Sequence, residues 1–193
     1  MSQWDKSTQF SRSQEANLTN FRILIVDDFQ FMADLLAGIL REVGVGYTIS
    51  CYSAADAQKI IKEAAENYTS STHIDMALID WLMPDTNGVE LIKWIRSQDQ
   101  DHIKYMPIIM LSAYTSKDVV EAARDSGATE ALVKPISAEK LLSRIIHVIN
   151  NDRPFVKNQT YFGPDRRRKE EPFQGEEKRQ MDPKMVEVNQ EDV

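Results

Sequence analysis

Cysteine is nearly missing from this 193-residue chain, which holds only Cys51. A disulfide framework within the chain and a Cys-rich zinc module are excluded on that ground. Glycine and proline number seven each, too few for a collagen-like or low-complexity chain. Long hydrophobic runs are missing as well. The longest, such as Pro107–Leu111, fall far short of the roughly 20 residues that a membrane span needs. Met1–Asn20 is polar and has no apolar core of the secretion-signal type, so a cytoplasmic location is expected. There is no surplus of positive charge. Residues 1–150 carry 14 basic and 20 acidic side chains, and residues 151–193 carry nine and ten. An acidic body of this kind is a poor nucleic-acid binder, and no specific nucleic-acid partner is expected. The three histidines, His73, His102 and His147, stand at no metal-ligand spacing.

What is present is globular: 42% of the residues are hydrophobic and 27% charged. Residues 1–19, rich in Ser, Gln, Asn and Thr, read as a disordered arm. From residue 20 a repeating pattern sets in. Phe21–Val26, Tyr47–Tyr52, Ile74–Ile79, Pro107–Leu111 and Glu130–Val133 have the short, β-branched character of buried strands. Between and after them, Phe31–Val43, Ala54–Asn67, Asn87–Ser97, Ser116–Ser126 and Ser137–Asn150 carry apolar residues at helical spacing. Five alternating strand–helix units imply an α/β fold. It is a five-stranded parallel sheet with helices on both faces, spanning residues 20–150.

Residues 151–193 break the pattern. Pro154, Pro164, Pro172, Pro183 and the block Arg166–Lys169 leave few apolar anchors. This segment is expected to be a largely disordered, charged tail. Tyr161–Lys169, aromatic then basic, is a candidate linear interaction motif within it. It is too short and too poor in apolar residues to fold as a DNA-binding helix-turn-helix.

In an open parallel sheet, ligands bind beyond the carboxyl ends of the strands, where strand order reverses. The polar residues following each strand are therefore the candidates. They are Asp27 and Asp28 after the first, Asp80 after the third, Ser112 after the fourth and Lys134 after the fifth. Three crowded carboxylates repel one another and become tolerable around a hard dication; Mg2+ prefers such oxygen ligands. A lysine and a hydroxyl facing the same point suit a phosphoryl group, and an Asp can itself be the nucleophile in phosphoryl transfer. Taken singly, each of these residues is more often a turn or a helix cap.

Asp27-Asp28, the run Leu78–Gly88 containing Asp80 and Pro84, Leu111-Ser112-Ala113, and Val133-Lys134-Pro135 together resemble the receiver domain of two-component response regulators. That family has the flavodoxin-like fold of the bacterial chemotaxis regulator. The resemblance covers residues 20–150. It implies that Asp80 accepts a phosphoryl group from a sensor histidine kinase or phosphotransfer protein. It also implies that Asp27, Asp28, Asp80 and the backbone carbonyl of Leu82 hold Mg2+, and that Ser112 and Lys134 contact the phosphoryl group. The Lys134–Pro135 bond is expected to be cis. Output is expected through a downstream protein, docked on the Ser116–Asn150 face or on the tail, or through a homodimer formed on phosphorylation. Three features depart from the family pattern. Ala131 stands where an aromatic switch residue is usual. Leu82 and Tyr114, which flank the site, carry no group to orient a water, so self-dephosphorylation should be slow. The connections Tyr68–His73 and Gln98–Met106 are long. The alternative function is a receiver-like scaffold that binds partners without phosphorylation. A phosphatase of the haloacid dehalogenase type would need a second Asp where Leu82 stands. A flavin carrier would need a phosphate-binding loop where Asp27 and Asp28 stand.

Overall fold

The computed structural model describes residues 18–166, apart from 70, 71, 85, 115, 152 and 159, together with the backbone of 184–186. Five strands form one parallel sheet: β1 (Arg22–Val26), β2 (Tyr47–Cys51), β3 (Met76–Asp80), β4 (Ile108–Ser112) and β5 (Glu130–Val133), in the order β2-β1-β3-β4-β5. After β1 the chain moves to one side to lay down β2, then crosses back to place β3 on the other side of β1. The β1/β3 junction is thus the point where strand order reverses.

The central strands β1, β3 and β4 are buried on both faces, and their alternate residues feed two cores. Ile23 and Ile25 of β1 and Met76 and Leu78 of β3 pack with Leu36 and Leu40 of α1 (Gln30–Glu42) and with Leu141 and Ile145 of α6 (Ala138–Asn150). Leu24, Val26, Ala77 and Ile79 face the opposite way. They pack with Ile61 of α2 (Ala54–Glu66), Leu91 and Ile95 of α3 (Gly88–Arg96) and Ala123 of α5 (Lys117–Ser126). This is why the strand sequences read as continuous apolar runs rather than as alternation. Helix starts are set by local chemistry. The side chains of Ser53, Asn87 and Ser137 each accept a hydrogen bond from a backbone N–H three residues on. Gly127, at φ +95°, ends α5 in the left-handed conformation. The expected connection Gln98–Met106 contains one short helix, α4 (Asp101–Lys104). Among the described residues no helix is long and apolar enough to cross a membrane.

Both ends of the chain differ from expectation where they are described. Met1–Asn17, most of the expected arm, lies outside the described residues. Leu18 is buried, and its carbonyl accepts the Phe21 and Gly46 N–H groups, so Leu18 and Thr19 belong to the fold. At the other end, residues expected to lack structure form β6 (Phe155–Lys157), β7 (Phe162–Pro164) and β8 (Lys184–Val186), an antiparallel sheet in the order β7-β6-β8. Arg167–Lys169, the basic part of the Tyr161–Lys169 motif, lies outside the described residues. The physical reason for the difference is aromatic packing. The Phe155 ring sits 4.9 Å from that of Tyr105 and 5.5 Å from that of Phe162, and the Arg96 guanidinium lies 5.2 Å from its centre. Composition averaged over the tail hides three buried hydrophobic residues, Phe155, Val156 and Tyr161, the first of which packs on the body.

Phe155→Ala should lower the unfolding free energy by about 3 kcal/mol, the usual loss for a buried aromatic. Urea denaturation followed by circular dichroism measures it. An unchanged midpoint would mean that the hairpin adds nothing to the fold.

Candidate functional site

The strand ends bring the predicted residues to one edge of the sheet. Asp27 directly follows β1 and Asp80 is the last residue of the neighbouring β3. Asp27 is 1% exposed and Asp80 8%, while Asp28 faces solvent. One carboxylate oxygen from each of the three lies within 4.8 Å of the others. Lys134 enters from the end of β5, next to the cis Lys134–Pro135 bond, and its backbone N–H donates to the Ser112 carbonyl at 2.7 Å. Its ammonium lies 2.8 Å from Asp27 Oδ2 and 2.6 Å from Asp80 Oδ1.

Backbone donors hold the carboxylates in place. The Phe29 N–H donates to Asp27 Oδ1 at 3.0 Å, and the Leu82 N–H donates to Asp80 Oδ2 at 3.2 Å. Gly88 is packed against Asp80 so closely that a Cβ there would strike the Asp80 carbonyl oxygen. Only glycine allows α3 to start this close to the acidic residue.

Burial pushes the Asp80 carboxyl above its usual pKa and the neighbouring Asp27 charge adds to the rise, while Lys134 and the Leu82 N–H pull it back. For Lys134 burial works against the charge. The hydrogen bonds and charges of Asp27 and Asp80 outweigh it and raise its pKa above the ordinary value. Three carboxylates against one ammonium leave a surplus of two negative charges when all are ionised. A hard dication matches that surplus and the oxygen donor set.

Ser112 is buried at the end of β4, the strand beside β3, but its hydroxyl is engaged elsewhere. Its Oγ accepts the Tyr114 N–H at 3.0 Å and lies 3.3 Å from the Tyr114 carbonyl, closing a turn on its own loop. Leu82 and Tyr114 are 51% and 52% exposed at the rim of the site. Ala131, on β5 beside Met110, packs into the core and leaves the position small. Sequence reasoning did not foresee the Phe29 N–H as a donor at the site. That N–H orients Asp27, and the exposed Phe29 ring stands 5.9 Å from that of Phe31 beside the site. The available signal was an Asp two residues before a residue with a free backbone N–H, the spacing that an Asx turn uses.

The raised Asp80 pKa has a consequence for stability. Ionising Asp80 costs more in the folded than in the unfolded chain. Its stabilising contribution is therefore complete below the unfolded carboxyl pKa of about 4 and is lost as pH rises through the higher folded value. Asp80→Asn should accordingly raise the melting temperature at pH 7, and the gain should shrink toward pH 4. Thermal melts of both proteins at the two pH values measure this; an equal gain at both would sink the assignment.

Comparison with known proteins agrees with this geometry. The family model of the response regulator receiver domain matches residues 23–146. Chemotaxis protein CheY-3 of Vibrio cholerae serotype O1 is 29% identical over 126 residues, which is 65% of this chain and 89% of that protein. The structure of Vibrio cholerae chemotaxis protein CheY4 is 27% identical with a TM-score of 0.57, covering 66% of this chain and 98% of that one. A CheX–CheY–BeF3–Mg2+ complex from Borrelia burgdorferi contains a chain 27% identical with a TM-score of 0.56, covering 67% of this chain and 89% of that one. With two buried aspartates joined by a lysine at the point of strand reversal and a family match over most of its folded body, the chain belongs to the response regulator receiver domain family.

Proposed function

We propose that this chain is a phosphorylation-controlled switch. Asp80 accepts a phosphoryl group from a phosphohistidine on a sensor histidine kinase or phosphotransfer protein, and output runs through protein contacts in the cytoplasm. The observation that carries this reading is the bridge of Lys134 between Asp27 and Asp80, with Asp28 at the open side of the same cluster. An Asp80 oxygen forms the new bond to phosphorus as the phosphorus–nitrogen bond to the histidine breaks, and the imidazole leaves with a proton. Lys134 is already charged and already beside Asp80, so it can pair with the incoming phosphoryl oxygens. Ser112 can donate to them only by giving up its turn with Tyr114.

Asp27, Asp28 and Asp80, with the Leu82 carbonyl, would hold Mg2+. The ion would supply neutralisation of negative charge on the carboxylates and the phosphoryl oxygens. Asp28 is the exposed member, so it is the group best placed to meet an ion from solvent.

Incubation with acetyl phosphate and Mg2+ should add one phosphoryl group by intact mass, and Asp80→Asn should abolish the gain. A wild-type mass that stays constant would favour the scaffold reading, to which the small Ala131 also points. Isothermal calorimetry should detect Mg2+ uptake, weakened at least ten-fold in Asp28→Ala. Because the apolar side chains of Leu82 and Tyr114 orient no water at the rim, the acyl phosphate should last minutes or longer. Leu82→Asn should shorten that lifetime several-fold, and a lifetime of seconds in the wild type would refute the argument.

A further inference from the structure

The hairpin that follows α6 lies at the end of the sheet away from Asp80, against the C-terminal end of α5. That helix is unevenly held. Its buried residues, Ala123 and Ser126, lie in its C-terminal half, whereas Lys117, Asp118 and Val120 at its start are exposed. Its N-cap, Ser116, makes no side-chain capping bond. The helix is thus tethered at one end and lightly held at the end that continues from the Ser112–Tyr114 turn.

The core, α3 and β5 hold the tethered end, and the hairpin adds to the tether. Gly127, the α5 cap, meets Gly163 of β7 so closely that a Cβ on Gly163 would lie 2.8 Å from Gly127 Cα and 2.6 Å from the Tyr161 hydroxyl oxygen. The Arg96 Nε donates to the Gly127 carbonyl at 2.9 Å from below, and the same guanidinium stacks on Phe155. Arg166 reaches back to Asp125 of α5 at 3.1 Å while lying 3.8 Å from the centre of the Tyr161 ring. The Tyr161 hydroxyl donates to the Pro164 carbonyl at 2.8 Å and closes the hairpin on itself. On the other side, Arg153 pairs with buried Glu130 of β5 at 3.3 Å, and Arg144 of α6 pairs with the same carboxylate at 3.1 Å. The hairpin therefore ties the end of α5 to α3, β5 and α6 at once.

We propose that the Arg153–Arg166 hairpin is an intramolecular clamp on the C-terminal end of α5, with the Gly127–Gly163 contact as the pivot. Through it the Ser112–Tyr114 turn is coupled to the C-terminal segment. A ten-residue helix spans about 15 Å and moves as a rod, so a displacement of the Ser112 loop at one end is felt at the other. The packed glycine contact leaves no slack to absorb it. Coupling of this kind is reciprocal: what loosens the clamp frees the turn, and what pulls the turn loads the clamp. The link to signalling rests on the proposed role of Asp80. The mechanical link between hairpin and turn does not.

Hydrogen exchange on the full chain separates the two. In the unmodified protein, Gly163→Ala, which wedges the pivot, and Arg166→Gln, which releases Asp125 and uncovers the Tyr161 ring, should each raise amide exchange over 112–127 several-fold. Exchange in β1 and α1 should stay constant. Lys157→Gln, an exposed change on β6, should leave 112–127 unaltered. Changes confined to 153–166 in both variants would overturn the clamp. Exchange of the wild type is then measured with Mg2+ and beryllium fluoride, alongside intact mass after acetyl phosphate. Altered protection of 153–166 supports the coupling, and unaltered protection in a protein that accepts phosphate overturns it. A protein that accepts no phosphate at all refutes the Asp80 assignment and the signalling half of the proposal, while the variants still decide the mechanical half.

Discussion

The Lys134 ammonium, held between Asp27 and Asp80, is the interaction on which the site depends. Two carboxylates buried side by side, with a third within reach, are unfavourable unless positive charge lies among them. Lysine offsets part of that repulsion and leaves two negative charges uncompensated when all three carboxylates are ionised. The same arrangement leaves a net negative cluster of oxygen donors, which matches a hard dication. Every structural element around it serves this placement. Strand reversal sets β1 beside β3, the Lys134–Ser112 backbone bond draws the end of β5 inward, and Gly88 lets α3 begin against the Asp80 carbonyl.

The molecule is organised around two ends of one sheet. At one end the acidic cluster and the Ser112–Tyr114 turn sit beside an exposed aromatic pair, Phe29 and Phe31. At the other end Arg96, Gly127, Tyr105 and the C-terminal hairpin form a dense aromatic and guanidinium junction. α5 joins the two, lightly held near the first and gripped at the second. In the proposed clamp, a displacement at the free end of this helix is carried as a rigid rod to its gripped end.

The fold and most of the site were legible in the chain itself. Runs such as Ile23–Val26 and Met76–Ile79 are apolar at every position because both faces of a parallel sheet are covered, and that periodicity announces the architecture. Asp27, Asp28, Asp80 and Lys134 could be named because the chemistry of such a sheet gathers at strand ends. Their local chemical character needs no long-range information.

What only the tertiary structure decided is where groups with several possible partners turn. Ser112 has the right type and position for the site, yet its hydroxyl bonds to Tyr114, a choice made by loop geometry. The segment past Asn151 reads as solvated because its charges outnumber its apolar residues. Phe155 is nonetheless buried, because Tyr105 and Arg96, some 50 to 60 residues earlier, supply a surface that no local window contains. Local sequence determines what each residue can do, and burial against distant residues selects which of those possibilities is realised.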